Sequence, residues 1–319
     1  PSCPHPCGIA TTPGLMSSVT VTGNEIRPCR DSTVARSPSA SPRAVASSGC
    51  IRAAWDRPPR NNIGALCCQL FSEPGAGSDL AGLSTKAVRS GDTWRINGQK
   101  VWTSYALFAN RCYLMVRVAG TEHGVTMVVL HMDRPGVTVR PLRNITGSSE
   151  FCEVFLDEVA VDAEDVVGGV GNGWQVATYA LARERSAGLA QRALQLSHEL
   201  ELMIVRLRDE GQDPGELVDA FVRSRAVDST VRRVLALLAD GQEPGSLAPI
   251  AKILWSEGHQ AQLARLAQIA GPALTAAADE WSDWLRALLF SRAETIYGGT
   301  SEIQRNLIAK SLGLPSDRT

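Results

Sequence analysis

From Cys67 to Val161 the apolar residues fall in short, partly alternating runs: TWRINGQKVWTS, RCYLMVRVAG, VTMVVLHMD, GVTVRPL and FCEVFLDEVAV. Runs of this length, rich in β-branched residues, predict strands. Asn97-Gly98 predicts a two-residue hairpin turn. Gly120, His123-Gly124 and Pro135-Gly136 predict further breaks. Closely spaced strands of this kind predict an antiparallel barrel or sandwich rather than βαβ units. After VVGGVGNGW the period changes. Residues 173–209 carry Trp174, Ala177, Ala180, Leu181, Leu189, Ala190, Leu194 and Leu202 at spacings near three and four, which predicts a helix. EGQDPG and DGQEPG set off helices at about 215–240 and 246–269. A fourth is expected at about 279–296, and TSEIQRNLIAKSLG closes the chain as a fifth. Long helices with short breaks predict a bundle. The expected fold class is α+β multidomain: an antiparallel β-barrel or sandwich domain at 63–166, then a C-terminal four-helix-bundle domain at 167–319.

Composition adjusts this picture at one end. Residues 1–62 are rich in Pro, Ser, Arg and Cys and show no helical period. Such a composition buries too little apolar surface to offset ordering entropy, so it predicts disorder or poor packing, and the mismatch with the rest of the chain predicts a non-native segment as the alternative. The whole chain of 319 residues is 44% hydrophobic and carries a net charge of −1, which points away from nucleic acid. No apolar run reaches about 18 residues, so no membrane span is expected. Eight cysteines occur without a Cys-x-x-Cys pair and the five histidines are scattered, so no metal site is expected. Reduced thiols in a cytoplasmic protein are the simplest expectation.

Three segments carry candidate chemistry. LFSEPGAGSDLAG, at 70–82, reads either as a glycine-rich surface loop or as a cradle whose backbone N–H groups face an anion. INGQKVWTS, at 96–104, returns a Trp and two hydroxyls on a strand. TIYGGTSEIQRN, at 295–306, places two glycines and two hydroxyl residues between helical segments. Thr300 is a good N-cap, and the helix it opens presents a positive dipole end to an anion.

In this order, SEPGAGSD, INGQKVWTS and IYGGTSEIQRN closely resemble the acyl-CoA dehydrogenase family of flavoproteins, over residues from about 66 to the end. The branch it resembles is common in actinobacterial steroid and fatty-acid breakdown. The resemblance implies an N-terminal helical domain, which residues 1–62 do not match, then a β-domain and a four-helix bundle with FAD extended between them. It implies α,β-dehydrogenation of an acyl-CoA to a trans-2-enoyl-CoA. A carboxylate takes the α proton, the hydride goes to flavin N5, and electrons leave through an electron-transfer flavoprotein. By position, Leu70, Phe71 and Ser72 would lie along the flavin ring. Gly77 and Ser78 would meet the pyrophosphate, Ser78 also lying near CoA. Trp102, Thr103 and Ser104 would back the isoalloxazine. Gln268 and Gly271 would hold adenosine from a neighbouring subunit of a homo- or hetero-oligomer, either dimer or tetramer. Thr300, Ser301 and Glu302 would contact the cofactor again.

Many family members carry the catalytic carboxylate where this chain has Gly298. The resemblance to members with a helix-borne base, just before an arginine, falls on YALARERSAGLAQR and implies Glu184 as base with Arg185 at CoA. On residues alone, Glu184 reads first as an ordinary solvated helix glutamate, and only the resemblance and the glycine at 298 favour the base. Gly298 keeps an N–H for the thioester oxygen, with Gly299 beside it, and Gly188 leaves further space for a bulky or branched acyl group. Glu294 and Glu302 are weaker candidates for the base. The Arg-x-x-Phe-Gly motif of the family is absent, and Ala182 replaces an Asp that touches CoA in some members. A truncated or non-catalytic subunit acting as an assembly partner, and an oxidase-like relative, are the alternatives.

Overall fold

The computed structural model describes residues 66–91, 93–119, 124–275 and 279–315, and within them the side chains of all but 182–187, 275, 279 and 280. The expectations for residues 1–62, Gly120 and His123 lie outside the described residues.

Among the described residues, eight strands form one sheet: β1 (Cys67–Leu70), β2 (Lys86–Ser90), β3 (Thr93–Ser104), β4 (Arg111–Val118), β5 (Val125–His131), β6 (Val137–Leu142), β7 (Phe151–Asp162) and β8 (Val166–Val167). Their order is β6-β7-β3-β2-β4-β5-β8, with β1 paired to β4. Most pairings are antiparallel as expected, but β1 and β2 both run parallel to β4. Ile96 of β3 and Val154 and Val159 of β7 share one core with Leu114 of β4 and Val128 of β5. The sheet therefore wraps over its own apolar face, which is how an antiparallel sheet buries a single hydrophobic side.

Asn97-Gly98 is not the hairpin turn. Strand β3 runs straight through it, and the reversal lies at Gly91, between Ser90 and its partner Thr93. Gly98 is required for another reason: a Cβ built there would lie 2.4 Å from the Thr85 hydroxyl oxygen, so only glycine permits this approach. Asn97 instead reaches β7, where its Oδ1 accepts from the Glu158 N–H at 2.9 Å. Pro135-Gly136 is a turn as expected, with Gly136 at φ 92°.

Two compensating bulges shape the β3–β7 ladder. The register slips between Ile96 and Gly98 and slips back between Lys100 and Thr103. The first extra residue lies on β7, where Glu158 has φ 50°, and the second on β3, where Trp102 has φ 60°. A bulge re-aims side chains. Lys100, Val101 and Thr103 are buried, while Trp102 is 62% exposed.

The helices are α1 (Gly173–Asp209), α2 (Val218–Ala239), α3 (Leu247–Ala270), a short α4 (Pro272–Thr275), α5 (Asp279–Ser291) and α6 (Ser301–Ser311). α1 buries Leu189, Ala193, Leu196, Leu200, Met203 and Leu207, a three–four repeat suited to bundle packing. Trp174, Leu194 and Leu202, which share the apolar period, are exposed. α3 packs against α1, α2, α5 and α6, so it is the central helix. The helix expected to reach about 296 stops at Ser291. The chain then passes through turns in which Ala293 and Glu294 donate to Phe290 and Ser291 carbonyls at 3.0 Å. No described helix is long and apolar enough to cross a membrane.

Gly173 couples the two parts. A Cβ there would lie 2.5–2.6 Å from the backbone of Thr126 and Met127 in β5. Backbone cannot yield as a flexible side chain does, so Gly173→Ala is expected to cost about 1–3 kcal/mol through overpacking. The urea-unfolding midpoint checks this against Gly188→Ala, at an exposed helical position of ordinary φ where a Cβ meets nothing within 4 Å.

Candidate active site

The 70–82 segment leaves β1 at Leu70 and folds tightly. Glu73 and Ala76 exchange backbone hydrogen bonds of 3.0 and 3.1 Å around Pro74-Gly75. Leu70, Phe71 and Ala76 are buried, and Gly77 and Ser78 are exposed. Beneath the loop lies an ion pair, Lys100 Nζ to Glu73 Oε1 at 2.8 Å, with both side chains nearly inaccessible. Glu73 also accepts from the Ser84 N–H and Oγ, each at 2.6 Å, and from the Thr85 N–H at 3.0 Å. Lys100 gives a further hydrogen bond to the Phe71 carbonyl at 3.1 Å. Burial pushes the Glu73 carboxyl up, but hydrogen bonds from Lys100 and Ser84 outweigh it and hold it down at about 2. Burial lowers the Lys100 ammonium, opposed by Glu73.

This pair binds the glycine-rich loop to the strand carrying Trp102, and the Val101 N–H to Ser72 carbonyl bond, 2.9 Å, repeats the link. Neither Lys100 nor Glu73 was anticipated as a site residue. The available signal was a lysine at an inward position of a strand, where only a partnered charge is tolerated.

The third segment arrives from the bundle. Trp102 meets Phe151 of β7 edge-on at 6.2 Å, Phe151 stacks on Phe290 of α5 at 6.3 Å, and Phe290 meets Tyr297 at 6.3 Å. A chain of four rings thus runs from the strand bulge to the Tyr297-Gly298-Gly299 turn. Gly298 and Gly299 have φ 64° and 92°. A Cβ at 298 would meet nothing within 4 Å, so space lies open beside the turn. Thr300 caps α6, its hydroxyl accepting from the Ile303 N–H at 3.2 Å. Gln304 Nε2 donates to the Gly298 carbonyl at 2.9 Å. Glu302 is exposed and held low by its own backbone N–H and Thr300.

The three segments are therefore brought together at the junction of sheet and bundle. Gln268 and Gly271 are not part of this cluster: they lie at the far end of α3, Gln268 roughly 12 Å along the helix from Gln260. Glu184 and Arg185 are carried by α1, between Leu181 and Gly188, and their side chains lie outside those described.

Behind the turn lies a second buried network. His259 of α3 has Nε2 at 2.7 Å from Glu199 Oε2 on α1, and Nδ1 at 2.7 Å from Glu294 Oε2. Lys252, about two turns earlier on the same face of α3, donates to the Glu294 carbonyl. Glu294, a weaker candidate for the base, is thus 1% exposed and engaged in the bundle interior. Burial lowers the His259 imidazolium, but the hydrogen bonds and charges of Glu199 and Glu294 outweigh it and raise it to about 9.

Several groups fit a flavin dinucleotide. Thr103 Oγ1 and Ser301 Oγ are buried with no hydrogen-bond partner among the described residues. Cβ atoms at Gly75 or Gly77 would meet nothing within 4 Å, leaving open room against backbone amides. The α6 N-terminus adds a positive dipole end. A Trp held at positive φ costs about 1–3 kcal/mol, and such strain is concentrated at functional sites.

A sheet and a helix bundle thus meet at strand bulge, glycine-rich loop and helix-capping turn, with the candidate site at their junction. Residues 68–159 match the model of the acyl-CoA dehydrogenase middle domain, and 171–313 that of the C-terminal domain. Acyl-CoA dehydrogenase IpdE1 of Mycobacterium tuberculosis is 40% identical over 271 residues, covering 82% of this chain and 70% of that protein. The solved Tcur3481-Tcur3483 steroid ACAD superposes with a TM-score of 0.73 at 26% identity, covering 79% of this chain and 69% of that one. A probable acyl-CoA dehydrogenase from Mycobacterium abscessus superposes with a TM-score of 0.70 at 26% identity, over 78% of this chain and 69% of its own. The chain belongs to the acyl-CoA dehydrogenase family, FAD-dependent oxidoreductases that dehydrogenate acyl-CoA thioesters.

Two outcomes follow from the charge networks. Lys100→Met leaves Glu73 buried without its cation and is expected to cost about 3–5 kcal/mol, measured by urea unfolding. The second concerns pH. His259 is raised from 6.5 to about 9, so its contribution is complete below pH 6.5 and is lost as the pH rises toward about 9. Lys252, depressed by burial from 10.5 to about 8 against the pull of Glu294, acts in the opposite sense above about pH 8. Between pH 6.5 and 8 the unfolding midpoint should therefore fall, and the fall should be smaller in His259→Gln.

Proposed function

We propose that this chain converts an acyl-CoA to a trans-2-enoyl-CoA, with Glu184 removing the α proton. Bound FAD supplies the acceptor for the β hydride, at N5. The observation that carries this reading is the convergence of the three motif segments, through the Lys100–Glu73 pair and the ring chain from Trp102 to Tyr297. The division of labour follows the chain's two proposed units, 63–166 and 167–319.

In this proposal Leu70, Phe71 and Ser72 border the flavin ring, and Trp102, Thr103 and Ser104 back it. Gly77 and Ser78 approach the pyrophosphate, and Thr300, Ser301 and Glu302 add the helix-end contacts. Ser78 and Arg185 bind CoA. The N–H groups of Gly298 and Gly299 face the thioester oxygen, where they oppose developing negative charge. At φ 64°, position 298 favours glycine, because an L side chain there costs about 1–2 kcal/mol. That supports assigning the base elsewhere. Gln268 and Gly271 serve the cofactor of a neighbouring subunit. Exposed Val218, Phe221 and Val222 on α2 and Leu202 and Val205 on α1 support such an oligomer. Electron-transfer flavoprotein is the proposed oxidant. The open space at Gly298 and Gly188 supports a branched or bulky acyl group, and one similar solved structure is named a steroid ACAD.

Glu184→Gln tests the base. Bleaching of bound flavin by acyl-CoA and α-proton exchange are expected to slow about 10²–10⁴-fold with FAD still bound. Bleaching at the wild-type rate removes Glu184 from the mechanism.

A further inference from the structure

We propose that His259 is a positioning residue of the reaction: bonded on both ring nitrogens, it clamps the Thr295–Thr300 turn to helices α1 and α3 and so sets the site's geometry. The proposal rests on the flavin-facing reading of that turn.

The geometry is that of a three-part tie. With carboxylate oxygens 2.7 Å from each ring nitrogen, both nitrogens must donate, so the ring is an imidazolium. One carboxylate, Glu199, belongs to α1, roughly 22 Å along the helix from Glu184. It is steadied by Gln195 Nε2 at 2.7 Å. The other, Glu294, is the residue immediately before the turn. The same face of α3 holds the turn at further points. Lys252 donates to the Glu294 carbonyl, and Gln260 Nε2 donates to the Ser291 carbonyl at 2.6 Å and Thr295 Oγ1 at 3.2 Å. Trp255 packs on Tyr297 at 6.3 Å. Lys252, Trp255, His259 and Gln260 are spaced so that one face of α3 presents all four. The exit of the turn is fixed independently, by the Thr300 cap and Gln304.

The turn therefore hangs between two anchors, and the buried charges lie at the entry anchor. The two glycines between them have no side chains with which to hold position. A polar network buried this deeply, at a bundle turn joined to the sheet through the rings of Phe290 and Phe151, links the helix that bears Glu184 to the turn whose N–H groups face the thioester. Bundle stability alone would be served as well by apolar residues at 199, 259 and 294.

The test uses the full chain as wild type, His259→Gln and Glu199→Gln. Amide hydrogen exchange is followed without FAD over peptides covering 295–304 and, as reference, 93–104. FAD affinity and the visible flavin spectrum are measured on the same preparations. Loss of a hydrogen bond to a buried charge should open the segment it holds about ten-fold or more. His259→Gln is expected to speed exchange at 295–304 by at least about that factor, with 93–104 unchanged. It is also expected to weaken FAD binding and shift the flavin band. Glu199→Gln, which keeps the bond to Glu294, should do the same to a smaller degree and stands in if His259→Gln does not fold. Exchange that rises equally throughout the bundle, or a flavin spectrum and affinity unchanged in a folded variant, overturns the proposal. Wild-type protein that takes up no FAD overturns the flavin-facing reading instead, and the exchange measurement, needing no flavin, tells the two failures apart.

Discussion

The Lys100–Glu73 pair is the constraint on which the sheet side of the site depends. A lysine with no accessible side-chain surface survives only because its ammonium meets one carboxylate oxygen and one carbonyl, while four donors satisfy Glu73. The pair leaves the glycine-rich loop no freedom to lift from β3. It also fixes where the strand must bulge, because Lys100 is the last residue in register before Trp102 turns outward. Loop and exposed ring thus reach the surface at one place for one electrostatic reason.

The bundle solves the matching problem differently. Its turn consists largely of backbone, and two glycines at positive φ contribute no packing of their own. Order must come from the flanks. His259, Lys252 and Gln260 hold the entry and Thr300 and Gln304 the exit. The two halves then meet through apolar ring contacts of Phe151 and Phe290 and through the close approach of Gly173 to the β5 backbone, whereas each half is held internally by directional polar bonds.

The strands and helices were legible because their apolar periods are long and their breaks are marked by glycine and proline. Boundaries were less so. The fourth long helix ends at Ser291 rather than near 296, since Arg292 to Tyr297 still carry a helical composition but are drawn into turns by the α3 contacts. Asn97-Gly98 misled for a related reason. The dipeptide suits a hairpin, yet here Asn97 bonds Glu158 and Gly98 makes room for Thr85, both distant in sequence. The motif residues of the candidate site could be named in advance. The residues that hold them could not, because a buried lysine or histidine is explained only by partners that the linear order separates by 27 to 60 positions.

What the sequence by itself determined is the set of local choices: strand-forming runs, helical periods, a cap at Thr300 and glycine where a side chain would be strained or would clash. These depend on neighbouring residues and on backbone sterics alone. What only the tertiary structure decided is which of these pieces share a site. Bringing Ser72, Trp102 and Tyr297 together requires the β3 bulge, the Lys100–Glu73 pair and the ring contacts across sheet and bundle. Each of those is a desolvated or packed interaction that exists only once distant segments have excluded water between them.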